Sequence, residues 1–118
     1  MRKIVYYRTR SGRYPVKEFL DSLTAKQADK VVWVLGIVGT FKIVPVQYFK
    51  KLVDTNGLWE VRVQYAGDDY RLLGFFDEGH LVVLLSGFAK KTEETPVLEI
   101  ELAHQRQRDY LSRKGGNG

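Results

Sequence analysis

The stretch LWEVRVQYAGDDYRLLGFFDEGHLVVLLSGFAKK, residues 58–91, decides the fold of this chain. From Trp59 to Tyr65 apolar and polar residues alternate strictly, which is the period of a half-buried β-strand. Turn-forming residues at 66–69 and 77–79 separate this strand from two more, residues 70–76 and 81–85. Two hairpins in series therefore predict a three-stranded antiparallel meander.

A register for the meander assigns its residues to two faces. We pair Tyr65 with Tyr70 across the first turn and Phe76 with Leu81 across the second. One face is then almost entirely apolar and needs covering helices: Trp59, Val61, Val63, Tyr65, Leu72, Phe76, Leu81, Val83 and Leu85. The other face has a polar end with Arg62, Gln64, Arg71 and Ser86, with Phe88 beyond it, and an apolar end with Leu73, Phe75, Val82 and Leu84.

The residues before the meander predict one strand and two helices. Residues 4–8 are β-branched and aromatic, which favours a strand added to the meander. Pro15 suits the first position of a helix, and Thr24 with Gln27 forms a capping-box pattern that begins a second one, ending near Gly39. These helices predict an αα-hairpin on the apolar face of the sheet. Residues 41–57 leave a short turn and an irregular strand as open alternatives, because Pro45 forbids a regular helix.

The residues after the meander predict a final helix. Thr95 and Pro96 have the residue types of an N-cap and a first helical position, and the helix is expected to run to about Leu111. We therefore expect an α+β fold with a small twisted antiparallel sheet, an N-terminal αα-hairpin on one face and a C-terminal helix. It forms a single domain at residues 1–113, followed by a disordered tail at residues 114–118.

Composition limits the possible functions. With 118 residues and no cysteine, the chain is long enough to bury a core without disulfides, and a cysteine-ligated zinc site is excluded. No apolar run reaches the roughly 18 to 20 residues that span a bilayer, so we expect a soluble, cytoplasmic protein with no membrane contact. The net charge of +5 and the pI near 9.5 favour a polyanionic partner such as nucleic acid.

Metal and triad chemistry are disfavoured by what the chain lacks. The two histidines, His80 and His104, lie in a turn and a helix and have no metal-ligand spacing, so we expect no metal and no cofactor. Ser86 lacks the GxSxG setting of a hydrolase nucleophile.

Cations, in contrast, are predicted to converge around the meander. Lys50 and Lys51 precede it, Arg62 and Arg71 lie on its polar face, and Lys90 and Lys91 follow it. Arginine holds a phosphate through a planar fork of donors, and a lysine crowded by other cations can act as a general base. RNA supplies its own nucleophile, the 2′-hydroxyl, so a base, a phosphate clamp and an acid suffice to cleave it.

The same residues also have ordinary structural interpretations. An arginine on a strand commonly pairs with a neighbouring carboxylate, here Glu60, and paired lysines are commonly surface residues. Phe88 could stack an unpaired base, but a phenylalanine at a strand end is more often part of the core.

The ordered segments YPVKEFLDSL, KKL, GLWEVRV, DDYRLLGFF, LSGFAKKTEETP and a final helix containing DYL resemble the phage-derived branch of the RelE/HigB family. These proteins are toxins of bacterial type II toxin–antitoxin modules, and the resemblance covers roughly residues 4–111. It implies ribosome-dependent endonucleolytic cleavage of mRNA, with inhibition of translation. It also implies an antitoxin partner, in the HigB branch often a helix-turn-helix DNA-binding protein.

The resemblance also implies roles for individual residues. Its motifs match Lys50, Lys51, Arg62, Arg71 and Lys90 as catalytic candidates and Phe88 and Lys91 as RNA contacts, and the register adds Gln64 and Ser86. RelE members carry a catalytic tyrosine near the last strand, whereas this chain has none between Tyr70 and Tyr110. Lys90, Lys91 or a ribosomal group would have to replace it. The alternative is a phage-derived protein that binds nucleic acid or the ribosome without catalysis.

Overall fold

The computed structural model describes residues 1–116 as a five-stranded sheet with helices on both faces. The elements in chain order are β1 (Lys3–Tyr6), α1 (Pro15–Asp21), α2 (Ala25–Thr40), β2 (Phe49–Lys51), β3 (Leu58–Tyr65), β4 (Asp68–Phe76), β5 (Leu81–Lys90) and α3 (Val97–Gly116). The strand order in the sheet is β1-β5-β4-β3-β2. The predicted α+β class is confirmed.

The meander is present, and β1 and β2 extend it at opposite edges. Strands β3, β4 and β5 pair antiparallel, and β2 continues this pattern, so the segment left open at residues 41–57 contains a strand. In contrast, β1 pairs parallel to β5, with Lys3 opposite Leu81 and Tyr6 opposite Leu84. The expectation of a wholly antiparallel sheet is wrong for this pair. Both helices and three strands separate β1 from β5 in the chain, and a connection that long permits parallel pairing.

The helices begin where local chemistry predicts. In α2 the Thr24 hydroxyl accepts from the Gln27 backbone N–H, and the Gln27 side chain accepts from the Thr24 N–H, so the capping box is complete. Pro15 occupies the first turn of α1. Both helices pack on the face of the sheet that carries Val61, Val63 and Leu72.

A β-bulge in β5 changes the face on which half of this strand lies. Gly74 pairs with Leu84 and Leu73 pairs with Ser86, so Leu85 is the extra residue. Each bulge of this kind reverses the alternation of side chains. The predicted pairing of Phe76 with Leu81 is wrong, because Phe76 pairs with Val82, a shift of one residue. The face predictions for the first half of β5 are therefore wrong: Val82 and Leu84 pack towards α1 and α2, whereas Leu81, Val83 and Leu85 pack towards α3.

Helix α3 covers the second face of the sheet and is longer than predicted. Ala103 is fully buried against this face, in a cluster with Leu73 and Phe75. The helix continues past Leu111 to Gly116, so residues 114–116 belong to it and not to a disordered tail, and residues 117–118 lie outside the described part. Near its end the Lys114 ammonium donates to the carboxylates of Asp77 and Glu78.

Within residues 1–116, none of the helices has an apolar stretch long enough to cross a bilayer. Thr95 does not cap α3 through its side chain as predicted, because its hydroxyl donates instead to a carboxylate on β3.

Candidate nucleic-acid interface

Arg62 and Arg71 lie directly opposite each other on β3 and β4. The turn between these strands has only two residues, Ala66 and Gly67, with φ of 51° and 86°, both left-handed. Tyr65 consequently pairs with Asp68, and not with Tyr70 as predicted. The pairing is shifted by two residues, which keeps both arginines on the predicted face and brings them closer together.

A buried carboxylate lies between the two arginines. Glu60 is 2% exposed, and its Oε1 is 3.4 Å from Arg71 Nε and 3.5 Å from Arg62 Nε. Its other oxygen, Oε2, accepts a 2.5 Å hydrogen bond from the hydroxyl of Thr95. Glu60 is therefore ion-paired with both arginines through one oxygen and hydrogen-bonded to Thr95 through the other.

From the sequence, Glu60 was expected only as an ordinary ion-pair partner of a strand arginine and not as part of the site. The alternation in β3 places it on the same face as Arg62. Its hydrogen bond to Thr95, 35 residues away and just before α3, is a long-range contact that the sequence does not reveal.

Arg71 is itself buried, with 4% of its surface exposed. Its Nη1 donates to the backbone carbonyl of Tyr70 at 3.1 Å, and its Nε has no aligned hydrogen-bond acceptor. Burial lowers the pKa of Arg71 from its ordinary value; Glu60 opposes this shift, and the positive charge of Arg62 adds to it. The guanidinium stays charged, since arginine is not deprotonated in proteins.

Two connected grooves open over these residues. The larger has a volume of about 700 Å³ and is lined by Arg62, Gln64, Gly67, Asp68, Asp69, Arg71, Ala89, Lys90, Lys91, Thr92 and Glu93. The second, of about 270 Å³, is lined by Lys50, Leu52, Val53, Thr55, Glu60, Arg62, Lys90, Glu93, Glu94, Thr95 and Ile100. Arg62, Lys90 and Glu93 line both, so the grooves meet at these residues.

Three of the predicted lysines lie at the grooves, and the fourth lies on the opposite face of the sheet. Lys50 is cross-strand from Glu60, and Lys90 is cross-strand from Asp69, so both lie on the face of the arginines. Lys91 lines the larger groove. Lys51 pairs with Trp59, which packs towards α1 and α2, so it lies on the opposite face.

Ser86 and Phe88 are not at the open surface. The one-residue shift at the second turn and the bulge together place Ser86 opposite Leu73, two positions from where it was expected, and it is 2% exposed with an unpartnered hydroxyl. Phe88 lies directly opposite Arg71 but is 8% exposed and belongs to the core beneath α3. Gln64, by contrast, is exposed and lines the larger groove.

The chemistry of the grooves rests on arginine, lysine and carboxylate groups. Neither groove is lined by a histidine or a tyrosine among the described residues. His80 is exposed at the second turn, and His104 is 2.6 Å from the carbonyl of Thr55 through its Nε2. In residues 1–116 no three His, Asp or Glu side chains are grouped so that they could hold a metal ion. The arrangement is suited to binding a phosphodiester.

Comparison with known proteins gives one family. The model of a family described as "Phage derived protein Gp49-like (DUF891)" matches residues 18–108. This range is most of the chain and contains every residue that lines the two grooves. Among curated proteins none matches significantly.

Proposed function

The chain belongs to the Gp49-like family of phage-derived proteins, and we propose that it is the toxin component of a type II toxin–antitoxin module of the RelE/HigB kind. In this proposal it is a metal-free, ribosome-dependent endoribonuclease that cleaves mRNA and so inhibits translation. Its site of action is then the cytoplasm, on the ribosome.

The observation that carries the proposal is the convergence of four cations on one face of the sheet, around two open grooves. Arg62 and Arg71 come from the centre of the sheet, Lys50 from an edge strand and Lys90 from the end of β5. They are spread over two grooves that join, an extended shape that suits a strand of RNA better than a small anion.

Each cation has a role in the proposed reaction. The arginines hold the phosphodiester and stabilise the charge that develops on its oxygens. Lys50 acts as a neutral amine and accepts the proton of the 2′-hydroxyl, whose oxygen attacks the adjacent phosphorus, and the Lys90 ammonium donates a proton to the departing 5′-oxygen. The P–O5′ bond breaks as the O2′–P bond forms, leaving a 2′,3′-cyclic phosphate and a 5′-hydroxyl.

A second function, binding of nucleic acid or the ribosome without cleavage, is favoured by one observation. The described lining of the grooves has no histidine or tyrosine, the side chains most suited to proton transfer near neutral pH. A protein of this second kind would obstruct translation through the same cations.

Primer extension on a reporter mRNA after induction separates these functions. A nuclease produces discrete new 5′ ends within the coding region, and an Arg62→Ala variant does not. Inhibition of translation without new ends would support the binding function and overturn the nuclease. A chain with no effect on translation would overturn both.

We also infer that the chain has an antitoxin partner, a helix-turn-helix DNA-binding protein by analogy with the HigB branch. The test is co-expression with the gene adjacent to the one that encodes this chain. Rescue of growth, together with co-purification of the two products, is the expected result. If the adjacent gene encodes no protein that rescues growth, this inference is wrong.

A further inference from the structure

Glu60 places a negative charge in a site that is proposed to bind phosphate, which is also negatively charged. Its carboxylate is buried beside both arginines, where its negative charge repels any anion that approaches them. On charge alone, Glu60 weakens the proposed site. Its presence there calls for a compensating role.

The contacts of Glu60 suggest that role. Its Oε1 lies at nearly equal distances, 3.4 and 3.5 Å, from the Nε atoms of Arg71 and Arg62. Two arginines directly opposite each other on a sheet repel, and one carboxylate between them offsets this repulsion. Without it, the repulsion between the two guanidinium groups would not be offset.

The Nη nitrogens of the two guanidinium groups are only partly bonded within the protein. Nη1 of Arg71 donates to the carbonyl of Tyr70, and Nη1 of Arg62 is 3.5 Å from the carbonyl of Val46. No hydrogen bond in the described part of the chain involves Nη2 of either arginine. Each arginine thus keeps one nitrogen for a ligand, and the two can act on a single phosphate.

Thr95 holds Glu60 from the other side. Its hydroxyl donates to Oε2 at 2.5 Å, and it stands two residues before α3. Oε1 faces the two arginines and Oε2 accepts from Thr95, so both oxygens of this buried carboxylate point towards side chains of the protein. These contacts are those of a positioning residue.

We propose that Glu60 and Thr95 form a positioning unit that holds the guanidinium groups of Arg62 and Arg71 for a single phosphate of an RNA strand. This inference rests on the proposed function, since it concerns the same site. It adds that a negative charge at this position strengthens the binding of a polyanion by orienting the cations, against the direction expected from net charge.

The test compares two substitutions that remove one negative charge each. Glu60→Gln removes the charge of the positioning unit, and Glu93→Gln removes one from the groove lining that has no contact with either arginine. The probe is a single-stranded oligoribonucleotide with 2′-O-methyl groups throughout, which cannot be cleaved, and binding is followed by fluorescence anisotropy at fixed salt. We expect Glu60→Gln to weaken binding on the order of 10-fold, because the clamp loses its orientation, and Glu93→Gln to strengthen it. If both variants bind more tightly, the positioning unit is wrong.

Substitutions at Thr95 control for loss of the buried charge. Thr95→Val removes the hydroxyl at unchanged net charge and similar volume, and Thr95→Ser keeps the hydroxyl. We expect weaker binding for the first and wild-type binding for the second, with the fold of each checked by circular dichroism. Equal binding by the two variants would overturn the role of Thr95 in the unit.

A measurement without RNA separates this inference from the proposed function. In ¹⁵N-labelled wild-type protein the Nε–Hε signals of Arg62 and Arg71 should be distinct and protected from solvent exchange, and Glu60→Gln should shift both and increase their exchange. Signals unaffected by Glu60→Gln would overturn the positioning unit even if the wild type binds and cleaves RNA. A wild type with these ordered signals that neither binds nor cleaves RNA would overturn the proposed function alone.

Discussion

Arg62 on β3 and Arg71 on β4 are direct cross-strand partners, and their guanidinium groups approach the same carboxylate oxygen. Two like charges placed opposite each other ordinarily destabilise a sheet. Here they are kept together by Glu60, which is buried and bonded to the start of α3. The result is a pair of cations with fixed geometry at the junction of two open grooves.

The first prediction concerns Arg62. Its side chain is 30% exposed, so Arg62→Ala should leave the fold intact while removing one phosphate contact. We expect relief of growth arrest and a reduction of about 0.7 in the slope of log Kd against log salt for single-stranded RNA. Arg108→Ala, an exposed arginine on α3 outside both grooves, is the control and should keep wild-type behaviour. An Arg62→Ala variant that is folded and as toxic as the wild type would remove Arg62 from the site.

The second prediction concerns the stability of the buried pair Glu60 and Arg71. Arg71→Ala should lower the free energy of unfolding by about 3 to 5 kcal/mol, because it leaves Glu60 buried with less compensation. The double variant Glu60→Leu with Arg71→Met should lose less than the single one, since both charges are then absent from the interior. Urea unfolding of Arg71→Ala, of the double variant and of its two component single variants, Glu60→Leu and Arg71→Met, measures this. A double variant whose loss equals the sum of the single losses would show that the two residues do not interact.

The third prediction separates two adjacent lysines. Lys50 faces the grooves and Lys51 the opposite side of the sheet, so the pair provides its own control. If Lys50 is the general base, Lys50→Ala should slow cleavage by on the order of 10² to 10⁴, and Lys51→Ala should change it little. Rates on programmed ribosomes measure both variants. A larger loss for Lys51→Ala would be inconsistent with the orientation of β2.

The fourth prediction concerns two glycines. A Cβ at Gly74 would lie 2.6 Å from the carbonyl oxygen of Val83 at the bulge, whereas a Cβ at Gly36 in α2 would meet nothing within 4 Å. Gly74→Ala should therefore lower the free energy of unfolding by about 1 to 3 kcal/mol. Gly36→Ala should raise it by up to about 1 kcal/mol, because alanine favours a helix. Thermal unfolding tests both, and a stable Gly74→Ala variant would contradict the close backbone approach at the bulge.

The fifth prediction concerns pH. Asp109 accepts a 2.5 Å hydrogen bond from the Tyr7 hydroxyl and further bonds from Arg10 and Arg113, and these contacts lower its pKa, the bond from Tyr7 most of all. A carboxyl whose pKa is lower in the folded state stabilises the protein above its unfolded pKa, about 3.9, and loses this contribution as the pH falls through the folded value.

Asp109→Asn is the variant that tests this dependence. It should be less stable than the wild type at pH 7, and the difference should shrink as the pH falls below about 4. Urea unfolding from pH 7 to pH 2 measures it. A difference of the same size at pH 2 would show that the ionised carboxylate is not its cause.

The fold was largely predictable because hydrophobic periodicity records burial. The alternation from Trp59 to Tyr65, the capping box at Thr24 and Pro15 at a helix start are local signals, and each corresponds to an element. The direction of β1 and the bulge at Leu85 were not predictable in the same way. Parallel pairing depends on how distant segments meet, and a bulge is a one-residue change in pairing that an apolar run such as LVVLL does not reveal.

The site was only partly predictable, because its geometry depends on long-range contacts. Alternation and an approximate register were enough to place Arg62, Gln64 and Arg71 on one face. Three other placements could be read only from the assembled sheet. They are the burial of Phe88 under α3, the displacement of Ser86 by the second turn and the bulge, and the position of Lys51 on the opposite face. Glu60 was expected only as an ordinary ion-pair partner, because the hydroxyl that binds its other oxygen lies 35 residues away in the chain.

The most direct test of the proposed function uses purified protein and ribosomes loaded with a defined mRNA. We expect a single cut whose upstream fragment ends in a 2′,3′-cyclic phosphate and whose downstream fragment begins with a 5′-hydroxyl. A 2′-deoxy substitution at the nucleotide before the cut should prevent cleavage, because that hydroxyl is the nucleophile. An mRNA that stays intact, or one that is cut equally well without this hydroxyl, would contradict it.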